Sequence, residues 1–391
     1  MEKIINKYNI VGLSATSYLP KLGIQQKYAG YSWVTDCSNT DPIIKMNTHT
    51  LMRIGSATKI YTAIIIIKLI STGLLSLDTS IAEISEFNYS SINPNVTIGQ
   101  LLSMTSGLSN YPNKKIHDIN MQDPFKLWTY KELLLMIEPY SNPGSYLYCN
   151  TNYLLLGLIA KIVSGDSLTN LYKKYIFQPL NLINTYYCDH TILMTTDYDN
   201  LETKKLAGCY DKISSCYDNL NGESVFAEIS AAKGAGGIVS TSYEMTKVIR
   251  GIFNGTILNN NELNIITSIP NASKNIPIKY SFQSLGIKSA TLSYSYGLTC
   301  IKCNIHNEEI ELWGKEGHIL GYESQMFYIP KYKIYSALII NGAAWKQNKT
   351  PLAKFEILFN LINNTKESMN FFVFLGIGLI IGYICRNIKN D

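Results

Sequence analysis

The chain has no block of lysine and arginine, and its 34 basic residues against 29 acidic ones leave a net charge of only +5 over 391 residues. A nucleic-acid-binding surface needs a concentrated basic footprint, so that class is set aside. The opening MEKIINKYNIVGLSATSYLP lacks both an apolar core of signal-peptide length and a small-residue cleavage site. It therefore reads as the start of the fold, with no signal peptide. Internal repeats and low-complexity linkers are also missing, which excludes a solenoid and favours one large unit.

Paired cysteine spacing is absent too. Eight cysteines are scattered along the chain, and Cys385 lies in a terminal apolar segment. The odd number left over argues against a complete disulfide framework, so free thiols are expected. Cys300, Cys303 and His306, with His318 further on, resemble part of a zinc site. They occupy an alternating stretch, SYGLTCIKCNIHNEEIEL, that reads as a hairpin. Residues three apart on a strand face opposite sides of a sheet, so no metal site is expected.

With 46% hydrophobic and 16% charged residues the composition is that of a folded globular chain. Two extended segments, NIVGLSATSYL and IQQKYAGYSWV, precede an apolar helix that ends near Gly73. From Ile98 to about Ser268 the pattern is mainly helical, through IGQLLSM, KELLLMI, TNYLLLGLIAKIV and SYEMTKVIRGIF. Strands return in SYGLTCIKC, EIELW, SQMFYIP and KIYSALIIN, followed by a helix around LAKFEILFNLI. The expected fold is α/β of the α+β kind: an antiparallel sheet built from both ends of the chain and flanked by helices, with an inserted, mainly helical lobe. The unit spans 1–365, with a sheet lobe at about 1–80 and 285–365 and a helical lobe at about 81–284. A cleft between such lobes is the natural place for a site.

From Phe371 to Cys385 no residue is charged, and Met369 to Ile388 supplies the twenty positions a bilayer needs if Arg386 snorkels. The expectation is a single-pass C-terminal membrane anchor at 369–388 with a short tail at 389–391. Flanking charges favour a cytosolic C-terminus while the missing signal favours a cytosolic N-terminal domain, so orientation is left open. Gly378 and Gly382 would let two such helices touch, which admits a homo-oligomer.

The chemistry is read from RIGSATKIYTAIIIIKLI, residues 53–70. A serine hydroxyl is a weak nucleophile at neutral pH and needs a base beside it. Lys59 stands one helical turn after Ser56 on the same face, and its amine can serve as that base only when neutral. Burial or a second cation must then lower its proton affinity. A further Ser-x-x-Lys, Ser230 to Lys233, runs into GAGG with no helix of its own and is read as coincidence. Of five Tyr-x-Asn copies, only Tyr148 to Asn150 follows a Pro-Gly turn and opens a periodic helix. In WGKEGHILGYES, Lys315 is the candidate second cation, and Gly317 leaves a strand edge bare for substrate.

RIGSATKIYTA, SLDTSIAEI, VTIGQLLSMTSGL, YCNTNYLLLGLIAKIVSG, GAGGIVSTSYEM and GKEGHILGYES together resemble the serine β-lactamase and penicillin-binding-protein superfamily. The likeness is nearest to class C β-lactamases, D-alanyl-D-alanine carboxypeptidases and related esterases. It implies that Ser56 is acylated by an amide, ester or peptide, with Lys59 as its proton partner and Tyr148 carrying protons to and from the leaving group. Asn150 would hold the substrate amide. Lys315 would support the Tyr148 phenolate and bind a substrate carboxylate. The backbone N–H groups of Ser56 and His318 would form an oxyanion hole, a device that supplies about 3–4 kcal/mol. No cofactor is implied. Glu316 departs from the pattern by standing where true β-lactamases carry a hydroxyl residue. The alternative reading is a catalytically inactive, membrane-tethered binding or assembly protein of the same fold.

Overall fold

The structure is a computed structural model and describes residues 1–8, 10–33, 44–84, 89–111, 113–123, 126–187, 210–211, 218–219, 224–277, 287–305, 308–319 and 321–342. The helix expected at 352–362, the apolar segment 369–388, His306 and most of residues 188–223 lie outside them. Among the described residues no single helix is long and apolar enough to cross a membrane.

A nine-stranded sheet organises the chain. Its strands are β1 (Gly12–Leu19), β2 (Gly23–Trp33), β3 (Ile44–Lys45), β4 (Ile276–Pro277), β5 (Ile287–Tyr294), β6 (Thr299–Ile305), β7 (Glu308–Ile319), β8 (Tyr322–Ile329) and β9 (Ile334–Asn341). They lie in the order β3-β2-β1-β9-β8-β7-β6-β5-β4 with every neighbouring pair antiparallel. The N-terminal strand thus meets the last one, Gly12 opposite Asn341 and Tyr18 opposite Tyr335. A sheet assembled from both ends of the chain is what the extended segments at 8–34 and from Ser295 onward predict. The strand β5 is an addition, because its Lys, Ser and Thr residues dilute the apolar alternation.

β1 and β9 are buried on both faces, since each face is covered by a helix. On one side lies α1 (Glu2–Tyr8), a short helix not read from sequence, whose Ile4, Ile5 and Tyr8 join Leu13, Ala15, Leu338 and Ile340. On the other side the core is continuous with the helices. It includes α2 (Thr58–Ser71), in which every residue from Thr58 to Ile67 is buried, and the apolar α3 (Asn150–Ser164), closed by Gly165 in the left-handed conformation. α4 (Ser242–Phe253) falls within the segment read as the helical lobe, yet it lies on the sheet. There Ser242 Oγ is 2.9 Å from both Ser14 Oγ and Thr16 Oγ1.

Cys300 and Cys303 are free and buried in different clusters on opposite faces of the sheet, as strand alternation requires. Burial pushes each thiol up to about 12. Two neutral thiols separated by the sheet cannot share one ion.

Candidate active site

Ser56 lies on a single 3₁₀ turn, Gly55–Ala57, that leads straight into α2. The turn is pressed against β7 by two glycines. A Cβ at Gly317 would fall 1.8 Å from the Ile54 carbonyl oxygen, and one at Gly55 would fall 2.6 Å from the His318 carbonyl. Gly55 also has φ +49°, a conformation in which a side chain is strained. Gly317 is therefore required first by the approach of the Ser56 turn, a reason different from the bare strand edge read in the sequence. Ser324 Oγ donates to the Ile54 carbonyl at 2.7 Å and fixes the contact from β8.

The strand edge is open as well. β7 pairs with β6 from Glu308 to Gly314 and with β8 from Trp313 to Ile319. Among the described residues, Lys315 to Ile319 thus have a strand on one side only. This stretch borders the Ser56 turn.

Tyr148 and Asn150 come from the helical part of the chain. Residues 104–110 run beside 141–150 and hold them in place. The Met104 carbonyl accepts from Leu147 N–H at 2.9 Å and its sulfur accepts from Cys149 N–H at 3.4 Å, so Tyr148 is anchored on both sides. Asn110 Oδ1 accepts from Asn150 N–H at 2.6 Å, at the start of α3, where backbone N–H groups lack helical partners.

These elements converge on one oxygen. Lys59 Nζ lies 3.0 Å from Ser56 Oγ, and the Tyr148 hydroxyl donates to the same Oγ at 2.8 Å. Lys59 Nζ also donates to Asn150 Oδ1 at 2.8 Å and to the Ala235 carbonyl at 2.9 Å. Lys59 is 0% exposed. Burial, and then the charge of Lys315, hold it well below the ordinary lysine value of 10.5, against a smaller opposing effect of Cys149. A neutral amine has two N–H bonds and one lone pair, and this site offers two carbonyl-type acceptors and one hydroxyl. The neutral form is thus fully satisfied with its lone pair toward Ser56. Lys315 is 3% exposed, and its Nζ sits 4.9 Å from the centre of the Tyr148 ring.

Every side chain expected in the site from sequence is brought to it: Ser56, Lys59, Tyr148, Asn150 and Lys315, with the backbone of Gly317 and His318 against the turn. Glu316 follows Lys315 on β7, so strand alternation turns the two to opposite faces of the sheet. The sequence reading missed the Ala235 carbonyl, the Asn110 acceptor and the rings of Tyr153 and Tyr294. GAGG after Lys233 was the one available signal. It marks a tight turn, in which Lys233 takes φ 43° and delivers the Gly234 and Ala235 carbonyls to Thr62 and Lys59. Ser230 has a structural role, accepting from Trp128 N–H and donating to the Lys126 carbonyl.

Comparison with known proteins bears on the fold and the family. Protein flp of Staphylococcus aureus (strain MW2) is 30% identical over 169 residues, 41% of this chain and 31% of that protein. The chain thus spans under a third of that curated relative's length. The D-amino acid amidase from Ochrobactrum anthropi SV3, complexed with L-phenylalanine amide, superposes with a TM-score of 0.68 at 21% identity, covering 100% of this chain and 96% of that one. The penicillin binding protein from Bacillus halodurans gives 0.69 at 20% identity, covering 91% and 98%. At such identities the likeness is one of fold. The family pattern described as Beta-lactamase matches residues 3–359, nearly everything from the first helix past the last strand, and the chain belongs to that family.

Proposed function

We propose that the protein is a serine hydrolase that forms an acyl-enzyme on Ser56 with an amide, ester or peptide. The observation that carries this reading is the meeting of an amine and a phenol on one half-buried serine oxygen. Neutral Lys59 takes the Ser56 proton as Oγ bonds to the substrate carbonyl carbon. Backbone N–H groups of Ser56 and His318 receive the developing oxyanion. Asn150, its Oδ1 engaged by Lys59, offers Nδ2 to the substrate amide. The Tyr148 phenol protonates the leaving nitrogen or oxygen as that bond breaks, and the proton held by Lys59 restores the phenol. Water then repeats the sequence on the ester and frees Ser56. The arrangement favours this reading over an inactive assembly module, which has no need to bring an amine and a phenol to one serine oxygen.

Within the two named types, class C β-lactamase or D-alanyl-D-alanine peptidase, the burial of Lys315 weighs against recognition of a substrate carboxylate. Amides and esters are therefore the favoured substrates. Whole-protein mass spectrometry after incubation with β-lactams, D-amino acid amides, D-amino peptides and short-chain esters tests both points. A single adduct on the peptide containing Ser56, from an amide or ester, is the expected result. No adduct and no turnover with any of them would leave only the assembly reading.

The C-terminal anchor belongs to the same proposal, on the strength of the uncharged run from Phe371 to Cys385. The full chain is expected to stay with membranes through alkaline carbonate washing, and a chain ending at residue 365 to be released. Equal release of both would remove the anchor.

A further inference from the structure

The two lysines of the site are interleaved with tyrosine rings. Lys315 Nζ lies 4.8 Å from the centre of the Tyr294 ring and 4.9 Å from that of Tyr148. Lys59 Nζ lies 5.1 Å from the Tyr148 ring and 5.8 Å from that of Tyr153. The side chains therefore follow one another as Tyr294, Lys315, Tyr148, Lys59 and Tyr153, and Tyr153 in turn lies against the Tyr294 hydroxyl, so the set is closed. Tyr294 closes this series at the end of β5. It is fully buried, its ring packs 5.7 Å from that of Tyr146, and its carbonyl accepts from Ser273 Oγ at 2.6 Å.

Two ammonium groups sharing one ring in a buried site repel each other, and a state with one proton between them lies lower in energy. The surroundings decide which amine holds it. Lys59 faces Ser56, Tyr148, Cys149, Asn150, Tyr153 and the Ala235 carbonyl, a set that the neutral amine satisfies. The Cys149 thiol, pushed up by burial, supplies no negative charge at neutral pH to offset an ammonium. Lys315 lies between two π faces, and the negative face of an aromatic ring attracts a cation, more strongly where water is excluded.

We propose that Tyr294 is a positioning residue that keeps the positive charge on Lys315 and thereby leaves Lys59 neutral beside Ser56. The proposal rests on the hydrolase reading only for its effect on rate. Where the charge sits can be measured without turnover.

The test is NMR titration of the full chain carrying 13Cε-lysine. The Lys59 and Lys315 resonances are assigned by their loss in Lys59→Arg and Lys315→Arg. Tyr294→Phe keeps the ring and is expected to leave the Lys59 midpoint where it is in the wild type. Tyr294→Leu removes the ring, weakens the hold on the Lys315 charge, and is expected to raise the Lys59 midpoint by about one unit, a tenfold gain in proton affinity. Tyr294→Met fills a similar space without a π face and reads the same if the leucine variant does not fold. A packing role alone would lower stability without moving the midpoint. An unmoved Lys59 midpoint in the ring-less variants, or an equal shift in Tyr294→Phe, overturns the proposal. Loss of the hydrolase reading would show separately, as a wild type without turnover whose lysines still respond to Tyr294 in this way.

Discussion

Replacing Ser56 with alanine is expected to abolish the covalent adduct and to lower turnover on the order of 10⁴-fold or more, because no other group in the site can take over bond formation to the carbonyl carbon. The fold should survive. Lys59 keeps its bonds to Asn150 and Ala235, and Tyr148 loses one partner at a half-buried position. A net change within about 1–2 kcal/mol is the scale for one such hydrogen bond. Intact-mass measurement with a fluorophosphonate, alongside circular dichroism, reads both quantities. An adduct forming on Ser56→Ala at the wild-type rate would show that another residue is the nucleophile.

Lys59→Met should produce the second large effect, a fall in kcat of about 10²–10⁴-fold, the usual contribution of a positioned base. Two pH signatures accompany it. Activity requires the neutral amine, so the wild-type rate rises with pH through the folded-state titration of Lys59, and that limb lies well below 10.5. The second signature is in stability. Unfolded Lys59 regains the ordinary affinity while the folded group does not, so the unfolded chain binds more protons between the depressed value and 10.5. Stability contributed by this group is therefore lost as pH falls through that window and regained as pH rises. Urea unfolding at several pH values should show this rise in the wild type and its removal in Lys59→Met. Equal slopes in the two proteins would mean that Lys59 is charged in the folded state, and the assignment of the base would fail.

How much could be read in advance depended on the range of each interaction. Ser56 and Lys59 are one helical turn apart, so their meeting follows from local geometry. Tyr148 was found because a Pro-Gly turn and an apolar helix bracket it. Strands at both ends of the chain announced a shared sheet. The Ala235 carbonyl, by contrast, is a backbone atom 176 positions away from Lys59, and no side-chain pattern marks it. Tyr153 and Tyr294 were hidden among 28 tyrosines, since a ring that closes around an amine looks in sequence like any core aromatic. Gly317 was recognised as necessary, but the reason lay in Ile54, whose approach depends on the register of β7 against the Ser56 turn.

The pairing of β1 with β9 also constrains the order of events during synthesis. A ribosome delivers Gly12–Leu19 first and Ile334–Asn341 last among the described strands. β1 can take β2 as its neighbour early, but its other edge must wait until Ile334–Asn341 has emerged. Lys315 arrives only shortly before that. Until then the nascent chain holds Ser56 and Lys59 without Lys315, so, on the proposed mechanism, a product truncated before β7 is expected to form no acyl-enzyme, and competence to appear only when the sheet closes.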